Sequence, residues 1–130
     1  MEITTKTIET DDNINKTDDI VSKTDEFLRI YYLLFNDCIK LFNRRKIRNF
    51  NVFLKLGKIL NNFDFYKLYL DANILKNIRN DIVYKNKLFS NETIDYLFIK
   101  TALIRIYLFE NKEVIKTTLL KKNIFQNLLK

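Results

Sequence analysis

The sequence predicts an all-α fold: an irregular antiparallel helical bundle, or short superhelical stack, of about six to seven helices. Three observations carry this. The 130 residues include no proline and one glycine, whereas sandwiches and barrels turn their strands with Gly and Pro. Apolar residues recur three and four apart rather than alternating. The chain is 47% hydrophobic and 30% charged, enough for one domain with a modest core.

Residues 1–23 differ from the rest. Glu2, Glu9, Asp11, Asp12, Asp18 and Asp19 stand against Lys6, Lys16 and Lys23, a net charge of −3. The whole chain is +7, so residues 24–130 carry +10. The reading is an acidic, disordered N-terminal tail before a helical protein-binding domain over residues 24–130.

The first helix is expected to begin at Thr24, with Thr24 as cap and Asp25 and Glu26 at the positive end of the dipole. Leu28, Tyr31, Phe35, Cys38 and Phe42 share one face, and Cys38 reads as a buried thiol. A second helix fits Asn51–Asn61, with Phe53, Leu56 and Leu60 inward. Gly57 inside it costs about 1 kcal/mol relative to Ala, which a close helix contact would explain. A short helical turn follows from Asp64 to Leu70. A new helix capped by Asp71 or Asn73 then turns Ile74, Leu75, Ile78 and Ile82 inward. Lys85–Ser90 reads as a loop with Leu88 and Phe89 inward. Ser90 or Asn91 caps a helix from Glu92 to about Phe109, apolar nearly all round and therefore expected to be central and covered. A helix over Lys112–Lys121, with Val114, Ile115 and Leu119 inward, precedes a further turn or two over Asn123–Lys130.

Catalytic patterns are nearly absent. The chain has no histidine for general base work and no glycine-rich phosphate loop. One cysteine and no histidine exclude the usual zinc sites, so no metal or cofactor is expected. No apolar run approaches the ~20 residues of a membrane span. The chemistry on offer is binding. Arg44, Arg45, Lys46 and Arg48 form a basic run, Lys76 and Arg79 lie three apart on one helix face, and Lys121 and Lys122 stand near the end. Such cations can hold nucleic-acid phosphates, with strong salt dependence, or an acidic peptide. The plainer reading is a solvated face.

The order of segments resembles a known family. "FLKLGKIL", Phe53–Leu60, stands where the Iws/Spn transcription factors carry Leu-Lys-x-Leu-Pro-x-Val, with Gly57 in place of the proline. "LDANILKNIR", Leu70–Arg79, matches the family's aliphatic-Asp-x-x-aliphatic-x-x-x-Ile/Val-Lys helix through Asp71, Ile74, Ile78 and Arg79. "IKTALIRIYL", Ile99–Leu108, fits its Ile-Arg/Gln-x-x-aliphatic helix, and "DEFLRIYYLLFNDCIK" resembles its long first helix. "LLKKNIFQNLLK" aligns with a Leu-Lys-x-Ser-Gly-Ile-Gly segment, with Asn123 and Phe125 replacing the glycines. The family's tryptophan is replaced by Asp81, and its final Trp-Ser-Arg-Pro-like helix has no counterpart.

The resemblance covers residues 25–130. It implies an all-helical bundle like the N-terminal domain of elongation factor S-II, and a non-enzymatic transcription elongation adaptor in the nucleus. Its implied partner is an N-terminal segment of the histone chaperone and elongation factor Spt-six, with RNA polymerase II engaged indirectly. Peptide-in-groove recognition is the expected mechanism. The groove would lie between the Glu92–Phe109 helix and the C-terminal helices, with Ile99, Leu103, Ile106, Leu119, Ile124 and Phe125 as candidate walls. Lys76, Arg79, Lys100 and Arg105 would steer an acidic partner. The plainer reading of each apolar residue is core. The alternative function is a viral Bcl-2-like regulator acting in the host cytoplasm and holding a partner helix in its groove. Weak nucleic-acid binding by the basic body is a third reading, and no membrane partner is expected.

Overall fold

Asparagine and serine make the helix boundaries in this glycine-poor chain. The computed structural model describes residues 10–42 and 49–129, with side chains placed over 20–42 and 49–121. Those residues form five α-helices and no strand: α1 (Thr10–Leu41), α2 (Asn51–Leu60), α3 (Phe63–Lys85), α4 (Asn91–Glu110) and α5 (Lys112–Leu129). The Asn62 side chain accepts the Asp64 backbone N–H at 2.8 Å to open α3. Ser90 Oγ accepts the Thr93 N–H at 3.2 Å to open α4. Asn61 and Asn86 end α2 and α3 at φ 51° and 54°, the left-handed position glycine usually fills, which Asn tolerates best among the other residues.

Two pairings organise the helices. α2 and α3 pack on each other across the Asn61–Asn62 junction, forming a helical hairpin, and α1 packs most extensively on α4. Lys23 reaches Asp95 at 3.0 Å and Asp37 reaches Arg105 at 2.6 Å. Both positions advance together, so α1 and α4 run parallel. α3 crosses α4 in the opposite sense, through Asp71–Lys100 at 3.3 Å and the Phe65–Tyr107 ring pair at 5.6 Å. The antiparallel sense is thus seen between α3 and α4 but not in the largest contact, which joins helices far apart in sequence. The core runs from Phe27, Leu34 and Cys38 of α1 through Phe53, Leu75 and Ile104 to Ile115 of α5.

Several predicted boundaries are corrected. α1 begins at Thr10, not near Thr24, so the tail reading fails over residues 10–23; residues 1–9 lie outside the described residues. No Pro or Gly interrupts that stretch, Asp11 and Asp12 suit the start of a helix, and Lys23 ties its end to α4. Thr24 is buried inside α1 with its hydroxyl unpartnered rather than serving as a cap. α3 is continuous through Asp71, which pairs with Lys100 instead of capping. Mid-helix Asp costs well under 1 kcal/mol in propensity, which tertiary contact readily offsets. Likewise α5 continues through Asn123. These two mergers reduce the helix number to five. Among predicted inward residues, Ile74, Leu88 and Val114 are exposed, while Phe89 and Leu119 pack on the core. Leu28 and Phe35 are only half-buried, because the face of α1 centres on Phe27, Leu34 and Cys38.

Two buried groups on α1 make the fold sensitive to alkali. Burial pushes the Cys38 thiol up from 9.0 to about 12, with Asp37 adding to the effect. Burial likewise pushes the Tyr31 hydroxyl from 10.0 to about 12, against an opposing pull from Arg79. The unfolded chain therefore releases these protons first, and stability falls as pH rises from ~9 towards ~12. Urea midpoints should drop across that window, with a shallower drop in Cys38→Ala. A flat profile up to about pH 11 would contradict the burial of both groups.

Candidate functional site

A cleft of about 620 Å³ opens between α1, the C-terminal half of α4 and the start of α5. Its walls are apolar: Ile30 and Leu41 from α1, and Ala102, Ile106, Leu108 and Phe109 from α4. Its rim is charged, with Lys40, Arg105, Lys112 and Lys116 against Asp37 and Glu110. The Arg105 guanidinium grips Asp37 through two nitrogens, Nε at 2.6 Å and Nη2 at 3.4 Å, a fork geometry that fixes α1 against α4. The Lys112 ammonium lies 4.5 Å from the centre of the exposed Phe109 ring, within cation–π reach.

α4 is not covered on most sides. Ile94, Leu97, Thr101, Ile104 and Leu108 are buried on one face, with the Thr101 hydroxyl donating to the Leu97 carbonyl at 2.7 Å. The opposite face leaves Tyr96, Ile99, Leu103 and Ile106 more than half exposed. The all-round apolar pattern thus splits into a core face and an outward stripe. The stripe runs along α4 towards the cleft, which it meets at Ile106.

The predicted site residues are dispersed by the fold. Ile106 and Arg105 line the cleft, while Ile99 and Leu103 lie on the outward stripe. Lys100 is held by Asp71 at 3.3 Å and sits 5.7 Å from the Tyr96 ring centre. Burial pulls its pKa down, but the Asp71 carboxylate outweighs this and the net shift is upward. Lys100 and Arg105 therefore already have carboxylate partners. Leu119 packs on the core. The side chains of Ile124, Phe125 and Lys122, and the run Arg44, Arg45, Lys46 and Arg48, lie outside the described residues.

Lys76 and Arg79 belong to a different place, a cleft of about 480 Å³ between α1 and α3. The contributions of α1 to the two clefts show that they open on opposite flanks: Ile30, Asp37 and Leu41 on one, Leu28, Tyr32 and Phe35 on the other. Ile30, Leu41 and Phe109 were missed as site residues. Ile30 and Leu41 stand eleven apart, three helical turns, on one flank of α1. That spacing was visible in the sequence, but nothing there said which flank meets α4.

No family model, no curated protein and no solved structure matches this chain. No described helix is long and apolar enough to cross a membrane. Fold and site together define a class only: an all-helical chain with an apolar cleft, a charged rim and an exposed apolar stripe leading into it.

Proposed function

We propose that this chain is a non-enzymatic adaptor that grips an amphipathic, acidic segment of a partner protein in the cleft between α1, α4 and α5. The observation that carries the reading is the continuity of that cleft with the exposed stripe of α4. A cleft of this size also suits a small molecule. The stripe extends the apolar surface by more than two turns of α4, the length a peptide anchors along. Four cations against two carboxylates on the rim favour an acidic guest.

For the partner we put forward the N-terminal segment of Spt-six, with RNA polymerase II engaged indirectly and the nucleus as the place of action. The geometry supports the docking class, and the partner's identity rests on the resemblance alone. A Bcl-2-like regulator would need a central helix covered on most sides, so the exposed face of α4 favours the adaptor reading over it.

A labelled Spt-six N-terminal peptide titrated with the protein should show a saturable rise in fluorescence anisotropy. Ile106→Glu, at an exposed position, should weaken binding by at least about tenfold while leaving the helical circular dichroism unchanged. No binding to the native protein overturns the partner. Binding unchanged by Ile106→Glu overturns the cleft.

A further inference from the structure

On the opposite flank of α1, we infer that the cleft between α1 and α3 is a second docking site, for an acidic peptide segment that pairs a carboxylate with an aromatic or aliphatic neighbour. This proposal does not depend on the occupant of the first cleft. Its chemistry is one-sided. Lys76 and Arg79 line it, and no carboxylate does. Among the described residues, no Asp or Glu lies within ion-pair distance of either cation. Arg79 is instead oriented by neutral groups. It donates to Asn80 Oδ1 at 3.0 Å, and its guanidinium carbon sits 5.7 Å from the Tyr84 ring centre. Arg105 and Lys100, by contrast, are matched internally.

Most of the remaining wall is apolar, with three aromatic rings beside Leu28 and Val83. Tyr31 is almost fully buried, Phe35 is half-buried, and Tyr32 is 62% exposed. A half-enclosed cavity with two unneutralised cations beside three rings fits a carboxylate flanked by an apolar side chain. A nucleic-acid strand would need a longer basic track. Towards the C-terminus of α3 the next cations, Lys85 and Lys87, are engaged by Asp81 at 3.5 and 3.8 Å. On α1, Asp25 and Glu26 lie one turn before the cleft. Among the described residues that line the cleft, the positive charge is confined to Lys76 and Arg79, about one helical turn of α3.

The test uses the full chain and a fluorescein-labelled peptide of alternating Asp and Phe. Saturable binding is expected, weakening at least about tenfold in the double variant Lys76→Gln/Arg79→Gln and in Tyr32→Ala. All titrations are made in an Ile106→Glu background, which removes the first cleft's share of an acidic amphipathic probe, so failure here and failure of the adaptor reading are distinguishable. Lys76, Arg79 and Tyr32 all reach solvent, and circular dichroism checks that each variant keeps its helices. Three outcomes overturn the proposal. The first is equal binding by the double variant, and the second is equal binding of a peptide with Asn for Asp. The third is tighter binding of a thymidine oligonucleotide than of the acidic peptide, which would assign the site to single strands.

Discussion

Phe53→Ala should destabilise the fold by about 3–5 kcal/mol, read as a fall in the urea midpoint at constant slope. Phe53 is fully buried and joins three segments of chain. Its ring stacks on Phe50 at 5.7 Å with 6° between planes, and meets Phe42 edge-on at 5.7 Å. Such ring pairs contribute about 0.5–1.5 kcal/mol beyond the area they bury. Truncation leaves a cavity where α2 packs on Phe42 beyond the end of α1, and ten residues of helix have few other anchors: Leu56 is the only other buried side chain in α2. A loss below ~1 kcal/mol would mean that α2 does not pack as described.

The second large effect is expected at Gly57. A Cβ there would sit 3.2 Å from the Asn62 carbonyl oxygen and 3.4 Å from the Tyr66 nitrogen, both backbone atoms at the start of α3. The Asn62 N–H also bonds the Gly57 carbonyl at 2.9 Å, so the hairpin cannot open freely. Alanine gains about 1 kcal/mol of helix propensity and loses a similar amount to this contact, leaving Gly57→Ala near neutral. Valine adds two methyl groups against fixed backbone and should cost about 2–3 kcal/mol. Thermal melts of the two variants check this. Equal melting temperatures would show that α3 can move away from α2 without penalty.

Gly57 shows what a sequence can say about packing. A lone glycine inside a helix implies that something approaches closely, and the start of α3 does. The α2 limits, the Ser90 cap and the Asn86–Ser90 loop were legible for a similar reason, since each depends on atoms a few residues apart. Asp71 was misread because a carboxylate has two plausible uses at that spacing. As a cap it would act locally, but it pairs with Lys100 on another helix. Thr24 was misread in the same way, because a hydroxyl suited to capping lies buried within a longer helix.

The candidate site was less legible than the fold. Ile99, Leu103 and Ile106 were singled out from a helix apolar on every side, and all three point outward. Periodicity could not separate them from Leu97, Ile104 and Leu108, because both sets recur at three and four residues. Lys76 and Arg79 were recognised as a pair expected to steer a partner into the α4 groove, whereas they line the cleft between α1 and α3. Their position depends on α3 packing beside the flank of α1 that carries Tyr32 and Phe35.

The sequence by itself determined that this protein is helical, where the α2–α3 and α3–α4 junctions fall and that Tyr31, Phe42 and Phe53 turn inward, because those follow from backbone hydrogen bonding and local apolar spacing. Only the tertiary structure decided that α1 lies parallel to α4, that α1 carries a cleft on each flank, and which cations keep a charge without a partner. Those outcomes depend on contacts between residues tens of positions apart, and no local pattern encodes which helix face meets which.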